Sequence, residues 1–181
     1  MTLQVILVLV LGFCAGFLYW GSAFVTGMVH DELVAQKIYF PPSSEIKPGG
    51  ALDPAKFSST VRNYAGQQVD NGPKAQAYAN DFIGVHLSEV ANGQTYSQVS
   101  AASLADPKNT ALSAQANTLF RGETLRGLLL NAYGWSQVAF YAFWAAIGLT
   151  VATIAVFATL VFEVLVSPRT VRATKPQPIP A

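Results

Sequence analysis

Two long apolar stretches, one near each end of the chain, dominate its pattern of hydrophobic and polar positions. From Leu3 to Met28 there is no Asp, Glu, Lys, Arg or His, and the same holds from Trp135 to Phe162. Each stretch exceeds the about 20 apolar residues that cross a bilayer core of about 30 Å. Backbone polar groups in hydrocarbon must bond internally, so each stretch is predicted to be a transmembrane helix. We place these helices at 3–28 and 135–166.

The segment between them, 29–132, has the polar composition of a domain in water. It holds every acidic residue except Glu163, and every basic residue except those of the tail. The predicted helix starts are Asp53-Pro54, Gly72-Pro73, Thr95 and Asn109, and the predicted ends are Pro41-Pro42, Gly66, Asn92-Gly93 and Asp106-Pro107. No stretch of alternating apolar and polar residues predicts a β-strand here. The predicted fold is therefore an all-α membrane protein, with two transmembrane helices flanking an extracytoplasmic helical bundle.

The positive charges of the tail, 167–181, predict the orientation. Arg169, Arg172 and Lys175 occur there without any acid, which is typical of a cytoplasmic segment. Both termini are therefore predicted in the cytoplasm, the central domain outside the plasma membrane, and the proline-rich tail disordered. The N-terminal stretch is predicted to be an uncleaved anchor, because Met-Thr-Leu-Gln has no basic residue and the apolar run exceeds the about 7–15 residues of a signal-peptide core.

Composition and motifs exclude several function classes. The chain is 51% hydrophobic and 12% charged with a net charge of +1, so it offers no basic stripe for nucleic acid. The single cysteine, Cys14, cannot form an intramolecular disulfide and is interpreted as a small apolar residue of the first span. Neither a nucleophile elbow nor a phosphate-binding loop occurs. We predict no catalytic residue, no metal site and no cofactor.

Small residues in the two spans indicate where helices could pack. In lipid, helices approach closely only where side chains are small. The predicted packing positions are Gly12 and Gly16 in the first span and Gly148, Ala152 and Ala155 in the second. These two stripes could pack against each other within one chain or could join two copies. A membrane protein partner or a second copy is accordingly the predicted partner, beside the bilayer itself.

Aromatic residues of the central domain support a second hypothesis, a pocket for a lipid or a small molecule. Pockets of this kind are mostly apolar with a few polar groups. The predicted lining consists of Tyr78, Phe82, His86, Tyr96 and Phe120. Aromatic residues at helical spacing also occur in plain cores, so the same residues could instead fill the interior of the bundle.

Short motifs in the central domain carry a family resemblance. They are Gly66-Gln-Gln-Val-Asp-Asn-Gly-Pro73, Ile83-Gly-Val-His-Leu-Ser-Glu-Val-Ala-Asn-Gly-Gln-Thr-Tyr96 and Leu125-Arg-Gly-Leu-Leu129. The chain resembles a family of small actinobacterial membrane proteins with the same layout of apolar helix, exported domain and apolar C-terminal portion. Members are often labelled aromatic ring-opening dioxygenases, and the label implies a non-haem iron site.

An iron site of that kind needs two histidines and a carboxylate. Here the set would be His30, His86 and Glu89, which uses both histidines of the chain. We expect these residues not to converge, because His30 lies at the membrane edge and His86 lies well along a separate helix. The predicted function is a non-enzymatic accessory or scaffold protein of the cell envelope. The alternatives are a binding module and, less favoured, a metal-dependent dioxygenase.

Overall fold

The computed structural model describes residues 1–173 and is all-α. Its elements are α1 (Thr2–Ala35), a 3₁₀ turn (Ser43–Glu45), α2 (Ser59–Asn63), α3 (Gly72–Ala77), a π-helical turn (Tyr78–Ile83), α4 (Gly84–Val90), α5 (Tyr96–Ala105) and α6 (Thr110–Ala173). Helices α1 and α6 are long and apolar enough to cross a membrane, and only 6% of each apolar window is buried. A core helix of a soluble protein would be mostly buried, so these helices expose their apolar faces.

The chain divides into two compact units. The first, the helix pair, contains Met1–Phe24 and the part of α6 from Ala139 onward; the second, the helical domain, is Val25–Val138. Both long helices continue through the predicted ends of the spans at 28 and 135. Helix α6 also extends to Ala173, past the predicted start of the tail, and the rest of that predicted tail, 174–181, lies outside the described residues.

The helix pair is antiparallel and meets along a narrow seam. The residues buried in this seam are Ala15 and Ser22 on α1 and Ala139 and Ala146 on α6. On each helix these positions are one heptad apart, the spacing that keeps one face of a helix against its partner. The Ser22 hydroxyl donates to the Ala139 carbonyl at 2.8 Å. The seam is therefore built from small residues. The Ser22 bond and a second one, from Gln4 Nε2 to Glu163 Oε1 at 3.0 Å, connect the two helices, as expected for helices in lipid.

The helical domain has one main hydrophobic core and a smaller one. The main core packs the C-terminal turns of α1 and the middle of α6 around the short helices, and its fully buried side chains include Leu33, Phe40, Leu52, Val61, Val69 and Leu129. The smaller core gathers Leu87, Ala91, Val99 and Leu119 where α4, α5 and α6 meet. Burial of these apolar side chains stabilises the domain by removing their surface from water.

Helix α1 ends earlier than predicted. The sequence predicts a helix as far as Pro41-Pro42, whereas the helix stops at Ala35 and Lys37 takes a positive φ of 52°. The chain then runs extended, and Phe40 N–H donates to the Gln67 carbonyl at 2.9 Å while Val69 N–H donates to the Ile38 carbonyl at 2.9 Å. These bonds join residues far apart in the chain, so no local signal could indicate them.

The next helix begins later than predicted. Its N-cap is Ser58, whose hydroxyl accepts from Val61 N–H at 3.4 Å, and the helix runs only from Ser59 to Asn63. Asp53, the predicted cap, instead closes a loop: its carboxylate accepts from Gly49 N–H at 2.8 Å and from Ala55 N–H at 2.9 Å. Asp and Ser favour helix caps and turns for the same reason, which is why the sequence pattern did not distinguish the two.

The later helix starts are confirmed. Asn71 caps α3, with Pro73 in the first turn, and its side chain accepts from Lys74 N–H at 3.0 Å. Thr95 and Gln98 form a capping box at the start of α5. Asn109 accepts from the N–H of Leu112 at 3.1 Å at the start of α6. Local capping chemistry therefore sets these boundaries.

Candidate functional site

An open apolar groove of about 670 Å³ runs along the helix pair. Its lining consists of Gly12, Ala15, Gly16 and Tyr19 from α1, and of Phe143, Ala146, Ile147, Thr150, Val151, Thr153 and Ile154 from α6. The rings of Tyr19 and Phe143 pair with centroids 6.2 Å apart. A Cβ atom added at Gly16 would meet no other atom within 4 Å. The surface of the groove is therefore not covered by any other residue at Gly16.

The predicted packing residues are Gly12, Gly16, Gly148, Ala152 and Ala155. A Cβ atom at Gly12 would lie 3.7 Å from Thr153 Cγ2, so Gly12 does contact the opposite helix. Gly16 and Gly148 have no atom within 4 Å of the equivalent position, Ala152 is half-buried and Ala155 is exposed. Gly16 and Gly148 therefore lie away from the buried seam, which runs through Ala15, Ser22, Ala139 and Ala146.

Three of the predicted ligand-binding residues, Tyr78, Phe82 and His86, form one aromatic stack in the helical domain. Ring centroids are 4.9 Å apart for Tyr78 and Phe82 and 4.7 Å apart for Phe82 and His86. Phe57 covers the stack, at 5.6 Å from Phe82 and 5.2 Å from His86. Burial raises the pKa of the Tyr78 phenol. These rings pack against one another and extend the main core.

The other two predicted residues, Tyr96 and Phe120, lie elsewhere. Their rings are 5.8 Å apart and border an open cavity of about 300 Å³ between α5 and α6. Ser103, Ser113, Ala116 and Asn117 complete its lining. In the part of the chain that the structure describes, no ring contact joins this pair to the Tyr78 stack. The five predicted residues are thus divided between a filled core and a shallow surface cavity.

The two histidines occupy different environments. His30 Nδ1 lies 2.9 Å from the Asp70 carbonyl oxygen, and because that oxygen only accepts, Nδ1 carries the proton. His86 Nδ1 lies 3.9 Å from the Glu89 carboxylate. Among the residues that the structure describes, no three His, Cys, Asp or Glu side chains gather closely enough to hold a metal ion. His30, His86 and Glu89 therefore do not form the ligand set that the dioxygenase label implies.

Glu89 has a different partner, the ammonium group of Lys56. Lys56 Nζ lies 2.7 Å from Glu89 Oε1. The hydrogen bond from Lys56 lowers the pKa of Glu89, and the same bond raises the pKa of Lys56. Both side chains are about half exposed, so this pair links the loop before α2 to α4 without contributing much to stability.

Arg126 holds the π-helical turn against α6. Its Nε donates to the Ala79 carbonyl at 3.0 Å, and its Nη2 donates to Asn80 Oδ1 at 3.2 Å. Its Nη1 bonds both carboxylate oxygens of Glu123, at 3.0 and 2.9 Å. The Ala79 carbonyl also accepts from the backbone N–H of Gly84, so Arg126 supplies a second hydrogen bond to this fully buried residue.

A polar cavity of about 280 Å³ lies where α2 meets α3 and the π-helical turn. Its lining consists of Thr60, Tyr64, Pro73, Gln76, Ala77, Asn80 and Asp81. No pattern in the sequence indicates this cavity. The helical spacing of Gln76 and Asn80 places both on one face, but the pairing of that face with α2 is a long-range contact without a local signal.

Comparisons with known proteins bear on the predicted family. No protein-family profile, curated protein or solved structure matches this chain. The resemblance to small actinobacterial membrane proteins therefore stays a prediction. Function has to be inferred from the groove of the helix pair and from the two cavities of the helical domain, each of which has a different chemistry.

Proposed function

We propose that this chain is a non-enzymatic, membrane-anchored accessory protein whose helix pair receives a transmembrane helix of another protein or of a second copy. The proposal rests on the groove of the helix pair, whose surface at Gly16 is not covered by any other residue. Small residues allow helix backbones to approach within the distances at which dispersion contacts and interhelical hydrogen bonds hold helices together in lipid. A partner helix would cover the surface that α1 and α6 leave uncovered.

Exposure of the long helices supports a place in the membrane. A row of large aromatic side chains, Phe13, Phe17, Trp20 and Phe24, lies exposed along one side of α1. Consecutive rings of this row are 6.4, 5.9 and 5.6 Å apart. A soluble monomer rarely exposes so continuous an apolar surface, whereas lipid or a membrane protein partner covers it without cost. The basic tail favours cytoplasmic termini and an extracytoplasmic helical domain in the plasma membrane.

The proposal can be tested by filling the groove. A photoreactive amino acid at Thr150, which lines the groove, is expected to crosslink the groove's occupant in intact cells. Gly16→Leu should reduce the crosslinked product about tenfold, which corresponds to about 1.4 kcal/mol of lost association energy. The Cβ atom of the substituted residue meets no other atom of its own helix pair within 4 Å.

Gly21→Leu is the matched control, because Gly21 also has open space around it and does not line the groove. Its crosslinking yield should equal that of the wild-type chain. The mass of the product distinguishes a second copy from a different membrane protein. A chain that gives no crosslinked product, and is monomeric in mild detergent, would contradict the accessory function.

A binding module is the alternative function, and the cavity beside Tyr96 and Phe120 is the observation that favours it. Its lining mixes two aromatic rings with serine and asparagine side chains, as small-molecule sites often do. Phe120→Ala should then abolish the retention of co-purified lipid or metabolite, detected by mass spectrometry of the extracted protein. Unchanged retention would remove this alternative.

A further inference from the structure

The lining of the polar cavity between α2 and the helical segment 72–83 combines hydrogen-bond donors, acceptors and hydroxyl groups with apolar surface. Asp81 offers only acceptors, Gln76 offers both an amide donor and a carbonyl acceptor, and the hydroxyls of Thr60 and Tyr64 donate and accept. The apolar part of the lining is the exposed Pro73 ring and the buried Ala77. In the described part of the chain, none of these four polar side chains hydrogen-bonds to another side chain.

The fifth polar residue of the lining, Asn80, is oriented by Arg126. A guanidinium group only donates, so the atom that Arg126 Nη2 approaches at 3.2 Å must be the amide oxygen of Asn80. The Asn80 nitrogen therefore keeps its donors for another partner. Arg126 is itself fixed by bonds to Ala79 and Glu123, which makes the Asn80 amide a preorganised donor at the cavity.

The Asp81 carboxylate forms no ion pair with any side chain that the structure describes. Lys74 binds Asp70 at 3.0 Å, and Arg62 donates from Nε to the Ser58 carbonyl at 3.4 Å. The half-buried Asp81 thus keeps its acceptor oxygens available. A carboxylate in this state forms strong hydrogen bonds with hydroxyl groups of a ligand.

Ring packing and helix caps support the walls of the cavity. The Tyr64 ring packs on the buried Phe40 ring, with centroids 5.4 Å apart. The caps of Ser58 and Asn71 fix the first turns of α2 and α3. A preformed site loses little conformational entropy when a ligand binds, so even a small cavity can provide specific binding.

From this geometry we propose that the cavity binds a saccharide, one sugar ring of a free or surface-attached carbohydrate. Sugar hydroxyls both donate and accept, so they match a lining that holds donors, acceptors and hydroxyls together, and the Pro73 ring provides an apolar surface for the C–H face of the sugar. A phosphate needs donors only and would be repelled by Asp81. An ammonium ion needs acceptors only and would face the Asn80 donors. The volume of about 280 Å³ is close to the lower limit of about 300 Å³ for ligand pockets, which suits one ring.

The test is a titration of the full chain in lipid nanodiscs, followed by saturation-transfer NMR. The probes are methyl α-D-glucopyranoside, methyl α-D-mannopyranoside and N-acetylglucosamine, with ethylammonium and inorganic phosphate as the charged comparisons. At least one saccharide is expected to bind saturably and more tightly than either ion. Asp81→Asn should weaken that binding about tenfold, because it replaces a charge-assisted hydrogen bond with a neutral one.

Two matched variants keep the result interpretable. Asp106→Asn removes a carboxylate that lies outside the cavity, and Gly16→Leu alters only the groove of the helix pair, so neither should change saccharide binding. If circular dichroism shows that Asp81→Asn does not fold, Thr60→Val is tested in its place. No saturable saccharide binding, tighter binding of either ion, or equal saccharide affinity in the wild-type chain and the cavity variant would each overturn the proposal. Saccharide binding and groove crosslinking can fail independently.

Discussion

Asp53 organises the loop before α2 by a charge-assisted network. Gly49 N–H and Ala55 N–H donate to its carboxylate at 2.8 and 2.9 Å. These bonds, that from Gly49 first, lower the pKa of Asp53. The side chain is buried although the loop lies at the surface, because the carboxylate turns inward to satisfy backbone donors that otherwise have no partner.

The lowered pKa of Asp53 predicts how stability depends on pH. The folded-state pKa lies below the unfolded value of about 3.9, so the stabilisation is complete above that pH and is lost as the pH falls through the folded pKa. Asp53→Asn should lower the thermal midpoint at pH 7 and make the decline in acid shallower. Circular dichroism melts across this pH range measure both effects. Asp106→Asn, outside any such network, is the control; equal acid sensitivity of wild type and Asp53→Asn would contradict the assignment.

Two glycines of helix α6, Gly122 and Gly127, have different packing environments. A Cβ atom at Gly122 would overlap the Leu87 side chain, lying 2.8 Å from Cδ1 and 3.0 Å from Cγ and closer still to Cδ2. Leu87 is buried in the smaller core. Gly127, five positions along the same helix, has no atom within 4 Å of its Cβ position. A Cβ atom at position 122 therefore requires the Leu87 side chain to move, whereas one at position 127 displaces no atom.

These two glycines give a paired prediction. Gly127→Ala should stabilise the chain by up to about 1 kcal/mol, the gain in helix propensity of alanine over glycine. Gly122→Ala has the same gain but overpacks the smaller core, which costs about 1–3 kcal/mol. Chemical denaturation in detergent measures both variants, and their unfolding free energies should differ by about 1–3 kcal/mol. Equal stabilisation by both substitutions would show that Leu87 can move aside without cost.

The proposed orientation of the molecule in the membrane rests on the basic tail. In a Cys14→Ala background, Asp106→Cys lies in the turn between α5 and α6 and should react with a membrane-impermeant maleimide added to intact cells. Thr174→Cys should react only after the cells are lysed. Both outcomes follow from positive charge being retained on the cytoplasmic side. Labelling in the reverse pattern would invert the proposed topology.

The sequence alone determined the all-α character, the two long apolar helices and the starts of α3, α5 and α6. These features depend on local chemistry, since apolar length and side-chain caps act within a few residues of where they appear. Asn71, Thr95 and Asn109 cap their helices because the orphan N–H groups they satisfy lie within one turn.

Tertiary structure decided what the sequence pattern left open. The end of α1 depends on extended pairing of Phe40 with Gln67, and the contacts of the predicted ligand residues depend on Phe57 covering the Tyr78 stack. The polar cavity exists because α2 packs beside the segment 72–83, and the amide oxygen of Asn80 in its lining is held by Arg126 of α6. Each of these contacts joins residues distant in the chain. These contacts stabilise the chain only after the core has formed. Hydrophobic periodicity and capping residues are local patterns, so they do not predict such contacts.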